Sequence, residues 1–215
     1  MERWQMPSAV KKAFFEDYVF QVWENVYEPA EDSFLFAENL KTREGDSVLD
    51  IGTGCGILGI VVSKKASSVV ALDVNPFAVR CARENARING VVDKMSFVQG
   101  DLFAPLRAEK RFDLILFNAP YVPVEDGQDD SWLNRAWSGG KSGRQVIDRF
   151  ICDAKAHLRQ DGRILLMQST LSGTRKTFAK FAENDLKAGI VAKRDLPFFE
   201  TLLLFEAKRI DPTSR

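Results

Sequence analysis

Hydrophobic positions fall in short runs separated by polar punctuation, and their spacing alternates between strand-like and helix-like periods. Ser47–Ile51 is a compact apolar run closed by glycines, and Ile57–Val62 behind it predicts the opening of a helix. The alternation repeats with a strand over 69–72, a helix over 76–89, and strands over 95–98 and 114–117. A polar, glycine-containing loop over 124–143 leads to a helix over 145–158, a strand over 163–167, a helix over 175–186 and a last strand over 200–205. Such spacing predicts a parallel sheet with helices on both faces. Upstream, residues 8–20 mix apolar and charged positions at roughly helical spacing, Pro29 interrupts, and residues 33–40 resume the pattern, which reads as a small helical cap.

Composition adds few exclusions. The 215 residues are 45% hydrophobic and 28% charged, enough for one full core with a short extension. The expected division is a cap over 1–36, one α/β domain over 37–209 and a frayed tail over 210–215. Thirty basic residues balance thirty acidic ones, so no global field favours nucleic acid or membrane. Cys55, Cys81 and Cys152 form no CxxC pair and have no nearby histidine, which argues against a disulfide framework and a zinc site and fits the cytoplasm. No signal-peptide h-region or bilayer-length apolar run is present, so neither export nor anchoring is expected.

The chemistry concentrates after the strands. In Asp50-Ile51-Gly52-Thr53-Gly54-Cys55-Gly56-Ile57-Leu58-Gly59, glycines permit a sharp turn and close ligand approach. The loop alone matches a nicotinamide dinucleotide fingerprint as well as an S-adenosylmethionine cradle. Carboxylates after successive strands narrow the choice. Asp73 is placed to accept both ribose hydroxyls, Asp101 to accept from an adenine amino group with the Leu102 amide beside it, and Asp50 to face the cationic end of S-adenosylmethionine. A strand-end Asp can equally be a helix N-cap, as Asp73 before Asn75-Pro76 would be.

Asn118-Ala119-Pro120-Tyr121 follows the strand over 114–117, at the sheet edge where open α/β folds bind ligands. The Asn118 side-chain oxygen and the Ala119 carbonyl offer two acceptors for an NH₂ group, Pro120 holds Ala119 extended, and Tyr121 offers a stacking face. That suits a planar amide or amine nitrogen, whose weak nucleophilicity orientation must offset. The bland alternative is a turn with an anchoring aromatic.

Together these segments resemble the HemK-like protein glutamine N5-methyltransferases, in their short archaeal and eukaryotic branch acting on class I release factors. The resemblance runs through Val26-Tyr27-Glu28-Pro29-Ala30-Glu31-Asp32-Ser33, the loop from Asp50 to Gly56, Asp73-Val74-Asn75-Pro76 and the residues from Phe117 to Val122. It continues in Ala136-Trp137-Ser138-Gly139-Gly140-Lys141-Ser142-Gly143-Arg144 and Glu200-Thr201-Leu202. The Tyr-Glu-Pro-Ala-Glu-Asp block and the Trp-x-Gly-Gly segment are its most specific parts. It implies a Rossmann-like class I methyltransferase with a seven-stranded, mostly parallel sheet and an antiparallel C-terminal strand.

The cofactor implied is S-adenosylmethionine, bound by Ser33, Asp50, Gly52, Gly54, Gly56, Asp73, Asp101, Leu102 and Asn118. Asn118, Pro120 and Tyr121 position the glutamine amide of a GGQ motif, and no metal is implied. A small zinc-binding activator subunit is the implied partner besides the release factor. Ala119 departs from the family's Asn-Pro-Pro-Tyr, keeping the carbonyl but freeing φ.

Competing readings are a methyltransferase for exocyclic amines of nucleic acid (adenine N6 or guanine N2), a protein lysine methyltransferase, a nicotinamide oxidoreductase, and a catalytically weakened S-adenosylmethionine-binding scaffold. His157 is expected at the surface or a helix end, and Phe14, Phe15, Tyr18, Phe20 and Trp23 in the core. The segment with Trp132, Arg135, Trp137, Lys141 and Arg144 is expected to shape the substrate entrance.

Overall fold

The computed structural model describes residues 10–125 and 131–210. Strands β1 (Val10–Phe15) and β2 (Tyr18–Trp23) form a separate antiparallel hairpin. Then follow α1 (Glu31–Glu38), β3 (Ser47–Ile51), α2 (Ile57–Val62), β4 (Ser68–Asp73), α3 (Pro76–Ile88), β5 (Met95–Gln99) and β6 (Phe112–Asn118). The chain continues through α4 (Trp132–Trp137), α5 (Gln145–Ala154), β7 (Leu158–Ser169), α6 (Thr174–Glu183), β8 (Leu186–Asp195) and β9 (Thr201–Arg209). Seven strands make one sheet in the order β5-β4-β3-β6-β7-β9-β8, parallel except for β9, which runs against both neighbours.

The central strands are buried on both sides, and successive residues serve opposite faces. Val48, Leu114, Leu116, Leu165, Met167, Leu202 and Leu204 pack toward the hairpin, α1, α2 and α3. Their neighbours Leu49, Ile115, Phe117, Ile164, Leu166, Leu203 and Phe205 pack toward α5 and α6 with Phe150 and Phe181. This two-faced burial explains why the interior strands read as continuous apolar runs.

The expected helix over 8–20 is, from Val10 onward, the hairpin. Its β-branched and aromatic residues alternate in β2, where Phe20 and Val22 are buried and Val19 and Gln21 are half-buried. Residues 8 and 9 lie outside the described residues. The free edge of β2 is paired by side chains of α3. Gln21 N donates to Asn85 Oδ1 at 2.8 Å while Asn85 Nδ2 donates to the Gln21 carbonyl at 2.8 Å, and Asn89 treats Val19 the same way at 3.1 and 2.8 Å. Two amides thus imitate a neighbouring strand.

Phe14 is exposed rather than in the core, whereas Phe20 and Trp23 are buried. The expected entrance loop contains α4, and the helix over 175–186 stops at Glu183, where β8 begins after a turn. The tail from 211 lies outside the described residues. Among the described residues no helix is long and apolar enough to cross a membrane.

Candidate active site

The carboxyl ends of β3, β4, β5 and β6 open into a cavity of about 550 Å³. Ser33, Gly52, Gly54, Asp73, Asp101, Leu102, Asn118, Pro120 and Tyr121 all line it. Asp50 and Gly56, also expected there, do not. Gly56 faces α3, where an added Cβ would approach Ala82 Cβ to 3.1 Å. Asp50 is fully buried beneath the loop, its Oδ2 accepting from Thr53 Oγ1 at 2.6 Å and Gly59 N at 3.1 Å. Burial foremost, and the nearby Asp73 charge in addition, push its carboxyl up to about 7 despite those bonds. Asp50 thus braces the loop from below through Oδ2, while its Oδ1 is buried without a partner.

At Gly54 the backbone is left-handed (φ 56°) and an added Cβ would meet nothing within 4 Å. Its Cα thus faces open space on the cavity wall, as a cradle for a close-lying ligand requires. Asp73 Oδ2 accepts from Gly54 N and its Oδ1 from Asn75 N, both at 2.9 Å. The helix cap is Asn75, whose side chain accepts from Phe77 N. Asp73 is therefore no cap; it lines the cavity as a buried carboxylate, raised to about 6 chiefly by that burial.

Asp101 is half-exposed and paired with Arg149 at 2.5 Å. Leu102 adopts a left-handed backbone (φ 48°) beside it.

Asn118 ends β6 with its amide orientation dictated by neighbours. Asn118 Nδ2 donates to Asp32 Oδ2 at 3.1 Å and to Ser33 Oγ at 3.3 Å. A carboxylate only accepts, so the NH₂ end must face Asp32, and Oδ1 is left buried without a partner in a residue that lines the cavity. Asp32 also accepts from Ser33 N at 2.6 Å, from Tyr27 OH at 3.3 Å and from Tyr121 OH at 3.4 Å. Both phenols are raised above the ordinary tyrosine range, by burial first and by the Asp32 charge second. They remain neutral donors at physiological pH.

Asp32 and Tyr27 are the residues that sequence reasoning missed as site residues. Both fall in the segment that carries the resemblance, and the contact of Asp32 with Asn118, 86 positions away, leaves no mark on local spacing.

The loop after α4 is clamped against the tetrapeptide. Val122 N donates to the Trp137 carbonyl at 3.0 Å and Gly139 N to the Val122 carbonyl at 2.9 Å. A Cβ at Gly143 (φ 68°) would come within 2.3 Å of the Tyr121 carbonyl oxygen, so only glycine fits. Trp132, Arg135, Trp137 and Lys141 line the cavity, as expected of an entrance. Arg144 does not. Its guanidinium is buried, donating to the Ser172 carbonyl at 2.7 Å and Thr177 Oγ1 at 2.8 Å and pairing with Asp148 at 2.6 Å, which ties the loop to α6. His157 is likewise buried, stacked on Phe103 at 5.0 Å with Nδ1 donating to the Lys110 carbonyl at 2.9 Å. It sits at the end of a short helical turn and does not line the cavity.

Comparison with known proteins accords with this geometry. The family model described as "Methyltransferase small domain" matches residues 30–192. A Methanocaldococcus jannaschii chain named as a candidate protein N5-glutamine methyltransferase is 43% identical over 187 residues, spanning 86% of this chain and 92% of that one. The human methyltransferase HEMK2 is 35% identical over 139 residues, 59% of this chain and 63% of that protein. Among solved structures, the Mtq2-Trm112 complex of E. cuniculi, described as responsible for methylating the eRF1 termination factor, superposes with a TM-score of 0.66 at 28% identity, covering 86% of this chain and 99% of that one. This chain belongs to the methyltransferase small domain family, on its HemK-like branch, and is a methyltransferase of the class I fold.

Proposed function

We propose that the chain transfers a methyl group from S-adenosylmethionine to the side-chain amide nitrogen of a glutamine in a class I peptide chain release factor. The observation that carries this reading is the buried, unpartnered Oδ1 of Asn118, a residue that lines the cavity and whose amide is fixed by Asp32 and Ser33. A buried acceptor without a partner is costly unless a ligand N–H completes it.

The residues present fit the cofactor. The open space beside Gly54, the cavity-lining carboxylate of Asp73 and the half-exposed Asp101 with the turned Leu102 backbone offer a cradle, a hydroxyl acceptor and an amino-group acceptor. S-adenosylmethionine supplies an electrophilic methyl group on a sulfonium centre.

The chain's task is to orient a poor nucleophile. Asn118 Oδ1 takes one N–H of the amide and the Ala119 carbonyl the other, so the nitrogen lone pair is drawn out of conjugation. Tyr121, anchored through its hydroxyl to Asp32, stacks on the amide plane. Charge gathering on the nitrogen is stabilised by the two acceptors; the N–C bond would form as the methyl C–S bond breaks to leave a neutral thioether, and one N–H proton passes to water. Ala119 is buried at the cavity wall, so packing offsets the freedom that a proline would have removed.

The homologues named as release factor glutamine methyltransferases support the acceptor, and the Mtq2-Trm112 complex supports a small activator subunit, which we take to be zinc-binding. The buried free thiols of Cys55 and Cys81 are in keeping with the cytoplasm.

The test offers labelled S-adenosylmethionine with a class I release factor or, in parallel, adenine- and guanine-bearing oligonucleotides, with activator present. Label on one glutamine of the protein, mapped by peptide mass spectrometry, is the expected result. Label on the oligonucleotide alone would replace this acceptor with a base.

A further inference from the structure

Phe198 and Phe199 form the tip of the β8–β9 turn with both rings in solvent, 96% and 103% exposed. Both adopt a left-handed backbone (φ 62° and 63°), a conformation that glycine or asparagine takes readily and phenylalanine does not. The turn is closed by Leu196 N donating to the Glu200 carbonyl at 2.8 Å and braced by Thr201 N on Thr170 Oγ1 at 3.1 Å. Neither exposed rings nor their strained backbone serves the fold.

The position is specific. Asn118 pairs with Met167, Met167 with Leu204, and Ser169 with Leu202, so the tip stands beyond the carboxyl ends of β6 and β7, on the side where the cavity opens. Glu200, next after the tip, lies close enough to Tyr121 for its charge to act on the phenol. Leu171, 50% exposed, is carried on the turn that braces β9. Phe198, Phe199 and Leu171 thus present exposed apolar side chains at the end of the sheet where the cavity opens.

We propose that Phe198 and Phe199 are a docking element for the protein acceptor, inserting into an apolar surface of the domain that carries the methylated glutamine. The inference rests on the acceptor being a folded protein. A glutamine on such a body reaches Asn118 only if the body seats against the rim, and paired aromatic anchors give that contact area with little side-chain entropy to lose.

The test compares wild type with the double variant Phe198→Asn/Phe199→Asn, which keeps the left-handed turn and removes the rings. Steady-state kinetics are measured with the activator present, on intact release factor and on a short peptide bearing the same glutamine, with thermal melting and light scattering alongside. The expected result is a KM for the intact protein raised about tenfold or more, with kcat, peptide turnover and S-adenosylmethionine affinity unchanged and a melting temperature equal or higher. Unchanged kcat/KM on the intact protein overturns the inference while leaving the glutamine reading in place. Loss by the variant of a wild-type dimer, with kcat/KM unchanged, gives the rings to a second copy and also overturns it. No methylation of the intact protein by wild type overturns the glutamine reading and this inference together.

Discussion

A single carboxylate, Asp50, shows how far position decides a residue's work. It follows the same strand-end pattern as Asp73, yet it lies beneath the glycine loop while Asp73, also buried, lines the cavity. Its native pKa, about 7, lies above the ordinary 3.8, so its contribution is fully present below about pH 4 and is lost as pH rises to 7. Stability of the cofactor-free protein should fall by roughly 2–4 kcal/mol across that window from this group. In Asp50→Asn, which keeps an acceptor for Thr53 and Gly59, denaturant melts from pH 4 to 7 should show a flatter profile. An unchanged slope would assign the pH dependence elsewhere. The strand-end placement of Asp73, Asp101 and Asn118-Ala119-Pro120-Tyr121 on the cavity is legible in the chain because they adjoin apolar runs, whereas the place of Asp50 beneath the loop is not. Nor is the contact of Asp32 with Asn118, since only the folded sheet brings α1 over the end of β6.

Among elements, legibility follows burial. The interior strands β3 and β6 announce themselves as apolar runs, whereas the apolar stretch of the edge strand β8 is mostly exposed, flanked by Lys187 and Lys193 and broken by a register shift between Ile190 and Ala192. The β1–β2 hairpin was misread as a helix because its ladder is completed by Asn85 and Asn89 of α3, partners that no local period reveals. The loop after α4 gives a sharper expectation. Gly143→Ala puts a methyl group against the Tyr121 carbonyl at a positive φ and must displace the tetrapeptide. We expect kcat to fall at least tenfold with S-adenosylmethionine affinity, read by calorimetry, within about threefold of wild type. Equal losses in both would mean that the loop supports the whole cavity rather than the acceptor wall.

At the scale of the molecule, α3 links the hairpin to the glycine loop. Asn85, fully buried, bonds Gln21 on β2 and donates to the Cys55 carbonyl at 2.8 Å. Asn85→Ala strands those backbone groups and should cost about 2–4 kcal/mol in denaturant unfolding while weakening cofactor binding. Stability loss with intact binding would show that the hairpin is tethered independently of the loop. The seven-stranded sheet with β9 reversed was legible from the alternation of strands and helices together with the family resemblance, because those patterns register the two-faced burial of the sheet.

All of this converges on one oxygen atom, Asn118 Oδ1, and the most direct measurement is kcat of Asn118→Ala on a glutamine-bearing release factor, with S-adenosylmethionine affinity measured in parallel. The account predicts kcat down about 10²–10³-fold and a far smaller change in cofactor affinity. A variant turning over within about twofold of wild type would contradict it.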